Sequence, residues 1–208
     1  MARWSWRRRA ACGAILCVLM AGMITEAVAA QALPGGALRP LPAQDVDQRG
    51  RFGDYVNDIV GFWALVGIAG RSTYDQLQQD PDGWDDDSDG FGKRLASNTG
   101  RRFVQASVHH GLAAALGRTT DYHPCGCDSF GGKLGNALLE AVTDHDASGR
   151  RLFSIPQFAG NYAGAFAPLL WLPEDDADAG KALINGTTAF VFTAAGNFLL
   201  TELLGFGR

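Results

Sequence analysis

The chain has 208 residues, 47% of them hydrophobic and 19% charged, with a formal net charge of -4. That length suits one domain with a real core, and the apolar fraction excludes a wholly disordered protein. The 4 cysteines are too few for a disulfide scaffold, the acidic balance excludes a general nucleic-acid binder, and the 27 glycines lack the three-residue period of collagen.

Residues 1–30 read as an export signal. Arg3, Arg7, Arg8 and Arg9 form a basic start, Ala10 to Ile24 carry no charge, and Ala27-Val28-Ala29-Ala30 offers a small-residue cleavage site. The apolar run of about 15 residues is short for a spanning helix, which needs about 20. A mature chain starting near Ala30 to Leu33 is predicted, in the periplasm or cell envelope. It keeps 14 basic and 21 acidic residues, a net of -7, and only two cysteines, Cys125 and Cys127. Such a chain is not drawn by charge alone to nucleic acid or to anionic lipid.

Residues 31–54, with Pro34, Gly35, Gly36, Pro40 and Pro42, read as a flexible linker before a helical domain over 55–208. The uncharged run Ile59 to Gly70 predicts a buried helix. A polar loop over 80–90 follows. Val104, Val108, Leu112 and Ala115 share one helix face, and Gly117 is placed to end that helix. Leu134, Leu138, Ala141 and Val142 predict a second amphipathic helix, with Lys133, Asn136 and Glu140 facing solvent. Ser154 and Gln157 have capping-box spacing, Phe153 and Phe158 stand as a hydrophobic staple, and Pro156 falls in the first turn. Gly160 and Gly164, four apart, predict a close helix crossing, and Gly196 is a further packing position from the echo Ala195-Gly196-Asn197. Pro168 should bend or stop this helix, and Asp175, Asp176 and Asp178 should open the last one. No strand alternation is visible. The fold expected is all-α: a glycine-rich bundle of about five or six helices after the signal peptide and linker.

The run Trp84 to Arg94, ending Gly90-Phe91-Gly92-Lys93-Arg94, resembles the core motif of a family of exported bacterial proteins with no assigned activity. Asp146 to Arg150, as D-x-S-G-R, and the pair Gly160-Asn161 follow in the same order. The aspartates before Gly90, and Cys125 and Cys127, depart from that pattern. The resemblance implies a secreted, mainly helical scaffold and carries no catalytic residue.

Two constellations bear on chemistry. Asp85, Asp87 and Asp89 before Gly90 match the first half of a calcium loop, but Ala96 stands where a bidentate glutamate belongs. Asp144, Asp146, Ser148 and Gly149 are a second partial copy. His123-Pro124-Cys125-Gly126-Cys127 offers three ligand types for a soft or borderline metal, a thiol pair open to oxidation after export, or free structural thiols. No nucleophile elbow, zinc-protease helix or phosphate loop is present. Asp121, His123 and Ser129 are close in sequence only, and no cofactor is identified. Ile155 to Pro173 and Ala182 to Thr201 are uncharged stretches of near-spanning length but modest hydropathy, which fits a membrane hairpin or a soluble core equally. The function expected is a non-enzymatic envelope scaffold or a lipid- or small-ligand-binding bundle, membrane-associated or self-associating. A metal or thiol-redox protein built on the Cys125–Cys127 loop is the alternative, and an enzyme without a recognisable motif comes third.

Overall fold

A computed structural model describes residues 48–205; the predicted signal peptide and most of the predicted linker lie outside the described residues. Six α-helices are described: α1 Gln48–Val60, α2 Phe62–Gln78, α3 Ser88–Ala115, α4 Phe130–Glu140, α5 Ile155–Phe166 and α6 Ala179–Gly196. The last continues into a π-helical turn, Asn197–Leu203. Helix α1 begins upstream of Tyr55, so the end of the predicted linker is helical. The 28-residue α3 is the central element, with α5 laid along it.

The starts and stops have local causes. The Asp87 carboxylate accepts from the backbone N–H groups of Asp89 and Gly90 and so caps α3. Gly117, at φ +63°, ends it in the left-handed region. Ser154 Oγ accepts from Gln157 N at 3.0 Å, Pro156 sits in the first turn, and the Phe153 and Phe158 rings close the staple at 4.5 Å. Helix α5 stops at Phe166, where Pro168 lies in a 3-10 turn over Ala167–Leu170. Asp178 caps α6.

Both motifs behind the family resemblance have structural duties. Arg94 is 1% exposed and donates to the carbonyls of Asp80, Pro81, Trp84 and Asp85 and to Gln76 Oε1. It thereby pins the loop before α3. A Cβ at Gly90 would sit 1.7 Å from the Asp85 carbonyl oxygen, so only glycine fits there. Lys93 pairs with Asp89 at the surface.

The Asp146-to-Arg150 motif is a hairpin turn. The structure adds a small antiparallel sheet that alternation could not reveal: β1 Arg118–Thr119, β2 Thr143–Asp146 and β3 Arg151–Phe153, in that order. His145 lies opposite Arg151, and Asp144 opposite Leu152. Asp146 accepts from Ser148 N, Arg150 N and Arg150 Nε, while Gly149 turns the chain at φ +75°.

Helices α3 and α5 meet where glycine allows it. A Cβ at Gly160 would lie 2.9 Å from both the Gln105 carbonyl oxygen and His109 Cβ; one at Gly164 would lie 2.7 Å from Gln105 Cβ. On α6 the contact glycine is Gly186, whose Cβ would come within 2.5 Å of the Tyr162 ring. Gly196 corrects the expectation, because its Cβ would meet nothing within 4 Å. It lies at the junction of α6 with the π turn and not at a crossing.

Among the described residues, 9 of the 12 buried apolar residues are alanine, while 26 large apolar side chains are exposed. The predicted buried run on α2 instead presents Phe62, Trp63, Leu65 and Val66 outward. Helix α4 departs in part from expectation: Ala141, just past its end, is buried as predicted, but Leu134 and Leu138 face out with Leu139, while Asn136, Ala137 and the Glu140 side chain are buried.

Candidate functional site

The inward face of α4 is the floor of a buried polar cluster. Ser129 Oγ caps the helix by accepting from Gly132 N at 3.1 Å, which fixes Asn136 and Glu140, four residues apart, on one side. Ser129 serves as this cap, and among the described residues no hydrogen bond joins it to Asp121 or His123. The loop after β1 lowers Tyr122, His123 and Cys125 onto this floor. Strand β2 supplies His145, β3 supplies Arg151, and the π turn supplies Glu202.

Glu140 is the hub of one half. Its side chain is 3% exposed and is ion-paired with Arg151. His123 Nδ1 lies 3.8 Å from one carboxylate oxygen and His145 Nε2 lies 3.7 Å from the other. The two imidazoles meet edge to face with centroids 4.4 Å apart. Glu140 holds the His123 pKa above its ordinary value, while burial pulls His145 below its own.

Glu202 is the hub of the other half and is 1% exposed. Its Oε1 accepts from Tyr122 Oη at 2.6 Å, Cys125 N at 3.1 Å and Asn136 Nδ2 at 3.2 Å. Lys133 Nζ reaches its backbone oxygen at 2.9 Å. Asn136 joins the halves, because its Oδ1 accepts from Arg151 at 3.2 Å. Burial first, and Glu202 beside it, hold the Tyr122 phenol protonated well past its usual range. The π turn belongs to this chemistry. The inward residues Ala182, Gly186, Ala194, Phe198 and Glu202 fall on four-residue steps, which drift off one face of a regular helix at about 3.6 residues per turn. The wider turn over Asn197–Leu203 keeps Phe198 and Glu202 buried.

Cys125 and Cys127 are joined by a disulfide, with Cα atoms 5.2 Å apart and Gly126 between them at φ +61°. The predicted ligand set of His123 with both cysteines is corrected accordingly. The sulfurs bond each other, and His123 turns to Glu140 and His145. Those three offer one ligand atom each, all within 4.8 Å of one another. The helical spacing puts Glu140 in solvent and the sequence gives His145 no role, so their convergence arises from the sheet. Asp58 of α1 and His109 and His110 of α3 converge within the same limit. There His110 Nε2 meets Asp58 Oδ2 at 2.8 Å and Arg102 approaches the other oxygen at 3.2 Å.

Asp85, Asp87 and Asp89 do not converge on a cation position. Asp87 is committed as the α3 cap and Asp89 to Lys93, and the three form no ligand cluster among the described residues. The second partial calcium motif is equally committed. Asp146 closes the hairpin, and Asp144 is buried beneath it with its pKa raised by burial to about 6.

No family model, no curated protein and no solved structure matches the chain.

Proposed function

We propose that this chain is an exported, non-enzymatic scaffold of the cell envelope whose bundle is seated in a membrane. The reading is carried by the reversed polarity of α4 and α6. A helix shows two faces in sequence, and the solvent decides which one points inward. Here alanine, glycine and hydrogen-bonded polar groups line the helix contacts, while leucine, phenylalanine and isoleucine face out. Helices in lipid pack in this way, because lipid rewards no burial of leucine and penalises every unsatisfied polar group.

Helix α6 with its π turn supports the same reading. Ala179–Leu203 has 25 residues, and only 11% of its most apolar window is buried. At about 1.5 Å per residue it reaches on the order of 35 Å, enough for a hydrocarbon core of about 30 Å. Its charged neighbours stand at the ends, with Asp178 and Lys181 at one and Glu202 at the other. The core helix of a soluble bundle would be mostly buried.

The predicted export signal and the resemblance to secreted scaffolds support a place in the envelope. The test is flotation of the mature chain with neutral phosphatidylcholine vesicles and its resistance to alkaline carbonate. Co-flotation that survives carbonate supports the reading. A monodisperse, detergent-free monomer overturns it, and a detergent-free dimer assigns the apolar faces to a second copy.

A second reading concerns His123, Glu140 and His145. Two imidazoles and a carboxylate are a recurrent ligand set for zinc and similar divalent ions. His123 Nδ1, the ring atom that faces Glu140, is buried without a hydrogen-bond partner, which favours it. Cobalt(II) titration followed by its visible spectrum tests it. Tetrahedral absorption that disappears in His145→Gln supports the site, and a featureless spectrum refutes it.

A further inference from the structure

A cleft of about 80 Å³ opens between α2, α3, the end of α5 and the first turns of α6. It is lined by four basic and four acidic side chains, and nearly all of them are already committed. Asp75 takes Arg71 Nε at 2.8 Å and Asn98 Nδ2 at 2.9 Å. Asp176 accepts from the backbone N–H groups of Asp82 and Gly83, Asp178 caps α6, and Asp80 lies 3.6 Å from Lys181. Arg94 is saturated by the loop carbonyls it holds.

Arg101 is the exception. It lines the cleft, and among the described residues it makes no hydrogen bond and no ion pair. Burial first, then Arg71 nearby, pulls its pKa down to about 10, with Asp75 alone acting the other way. The Asn185 side chain, on the facing turn of α6, also makes no hydrogen bond to the described residues. The one acidic neighbour of Arg101, Asp75, is already held by Arg71 and Asn98, so the Arg101 guanidinium donors are left open to the cleft. The opposite wall is apolar, formed by Ala165, Pro168, Leu169 and Leu172.

We propose that this cleft binds a phosphate group, with Arg101 as its principal cation and Asn185 as a neutral donor beside it. Guanidinium donors match phosphate oxygens two at a time, and the committed aspartates leave the incoming charge one unmatched partner. The group could arrive as free phosphate or on a phospholipid. The second source rests on the membrane reading above, in which the cleft sits at the charged end of α6, at headgroup depth.

The experiment uses the full mature chain in a neutral detergent at constant ionic strength. Thermal unfolding is followed with inorganic phosphate against chloride, and separately with phosphatidylglycerol against phosphatidylcholine doped into the micelles. The proposal expects phosphate to raise the midpoint of the wild type. In Arg101→Met the apparent affinity should fall about tenfold or more, and in Asn185→Ala by a smaller factor. Without phosphate, Arg101→Met should be at least as stable as the wild type, because an unmatched charge has been removed. A response to phosphatidylglycerol as well as to free phosphate identifies the headgroup as the source; a response to free phosphate alone identifies a soluble one. Two results overturn the proposal: a phosphate response equal in wild type and Arg101→Met, or no response to either source. Clear destabilisation of Arg101→Met in phosphate-free buffer would also overturn it, by making Arg101 structural. Flotation with neutral vesicles is scored on the same samples, so loss of phosphate binding stays separate from loss of membrane seating.

Discussion

Gly160→Ala is the most direct probe of the α3–α5 crossing. In an open helix interior, alanine in place of glycine stabilises by about 1 kcal/mol. At Gly160 the new methyl would lie 2.9 Å from the Gln105 carbonyl oxygen, which is backbone and cannot rotate away, and 2.9 Å from His109 Cβ. Ordinary contact begins near about 3.5 Å, so the two helices must part by roughly half an ångström. Overpacking of this kind costs about 1–3 kcal/mol. The net expectation is destabilisation of up to about 2 kcal/mol once the propensity gain is subtracted. Gly111, on α3, supplies the internal control, since a Cβ there meets nothing within 4 Å. Gly111→Ala should therefore stabilise by about 0.5–1 kcal/mol. Denaturant unfolding of the two variants beside the wild type reads both values. Equal shifts of the same sign would refute the packing argument, because the two sites differ only in what faces them.

Three further outcomes follow from the polar interior. Glu202→Leu should cost about 3 kcal/mol or more, because Tyr122, Cys125 N and Asn136 lose a shared acceptor, and Glu202→Gln should recover most of it; chemical denaturation checks both. Asp144, raised by burial to about 6, favours the folded state when protonated, so its contribution is full below about pH 4 and lost as pH rises through about 6. His123, also raised, acts in the same sense at higher pH, and Asp144→Asn should flatten the first part of a stability profile taken between pH 4 and 8. Cys125 and Cys127 in unreduced protein should resist maleimide and label as two thiols after reduction; labelling without reductant would contradict the disulfide.

Local signals in the sequence carry the helix ends well. Ser154 with Gln157, Gly117, Asp178 and Pro168 act through bonds to residues one to four positions away, so they are legible without the fold. The facing of α4 is not. Its leucines and its Lys133, Asn136 and Glu140 define two faces, and the usual rule assigns the leucines inward; the partners that draw Asn136 and Glu140 inward, Glu202 and Arg151, come from distant segments. The sheet escaped because β1 has 2 residues and β2 reads Thr-Asp-His-Asp, too short and too polar to alternate. The His123, Glu140 and His145 cluster escaped with it, since only the β2–β3 hairpin brings the last of these over α4. Asp87 shows the converse error: a carboxylate that fits a calcium pattern is, in three dimensions, a helix cap.

The central claim is that the outward faces of α4 and α6 meet lipid. Nitroxide labels attached after Phe192→Cys and Leu138→Cys, each in protein reconstituted in phosphatidylcholine, test it through collision with oxygen and with a water-soluble nickel chelate. Both wild-type side chains are more than half exposed, at 72% and 53%. Oxygen should dominate at residue 192 and exceed nickel at residue 138, with a label on exposed Arg150 showing the reverse. Nickel accessibility at residue 192 matching that at residue 150 would contradict the account.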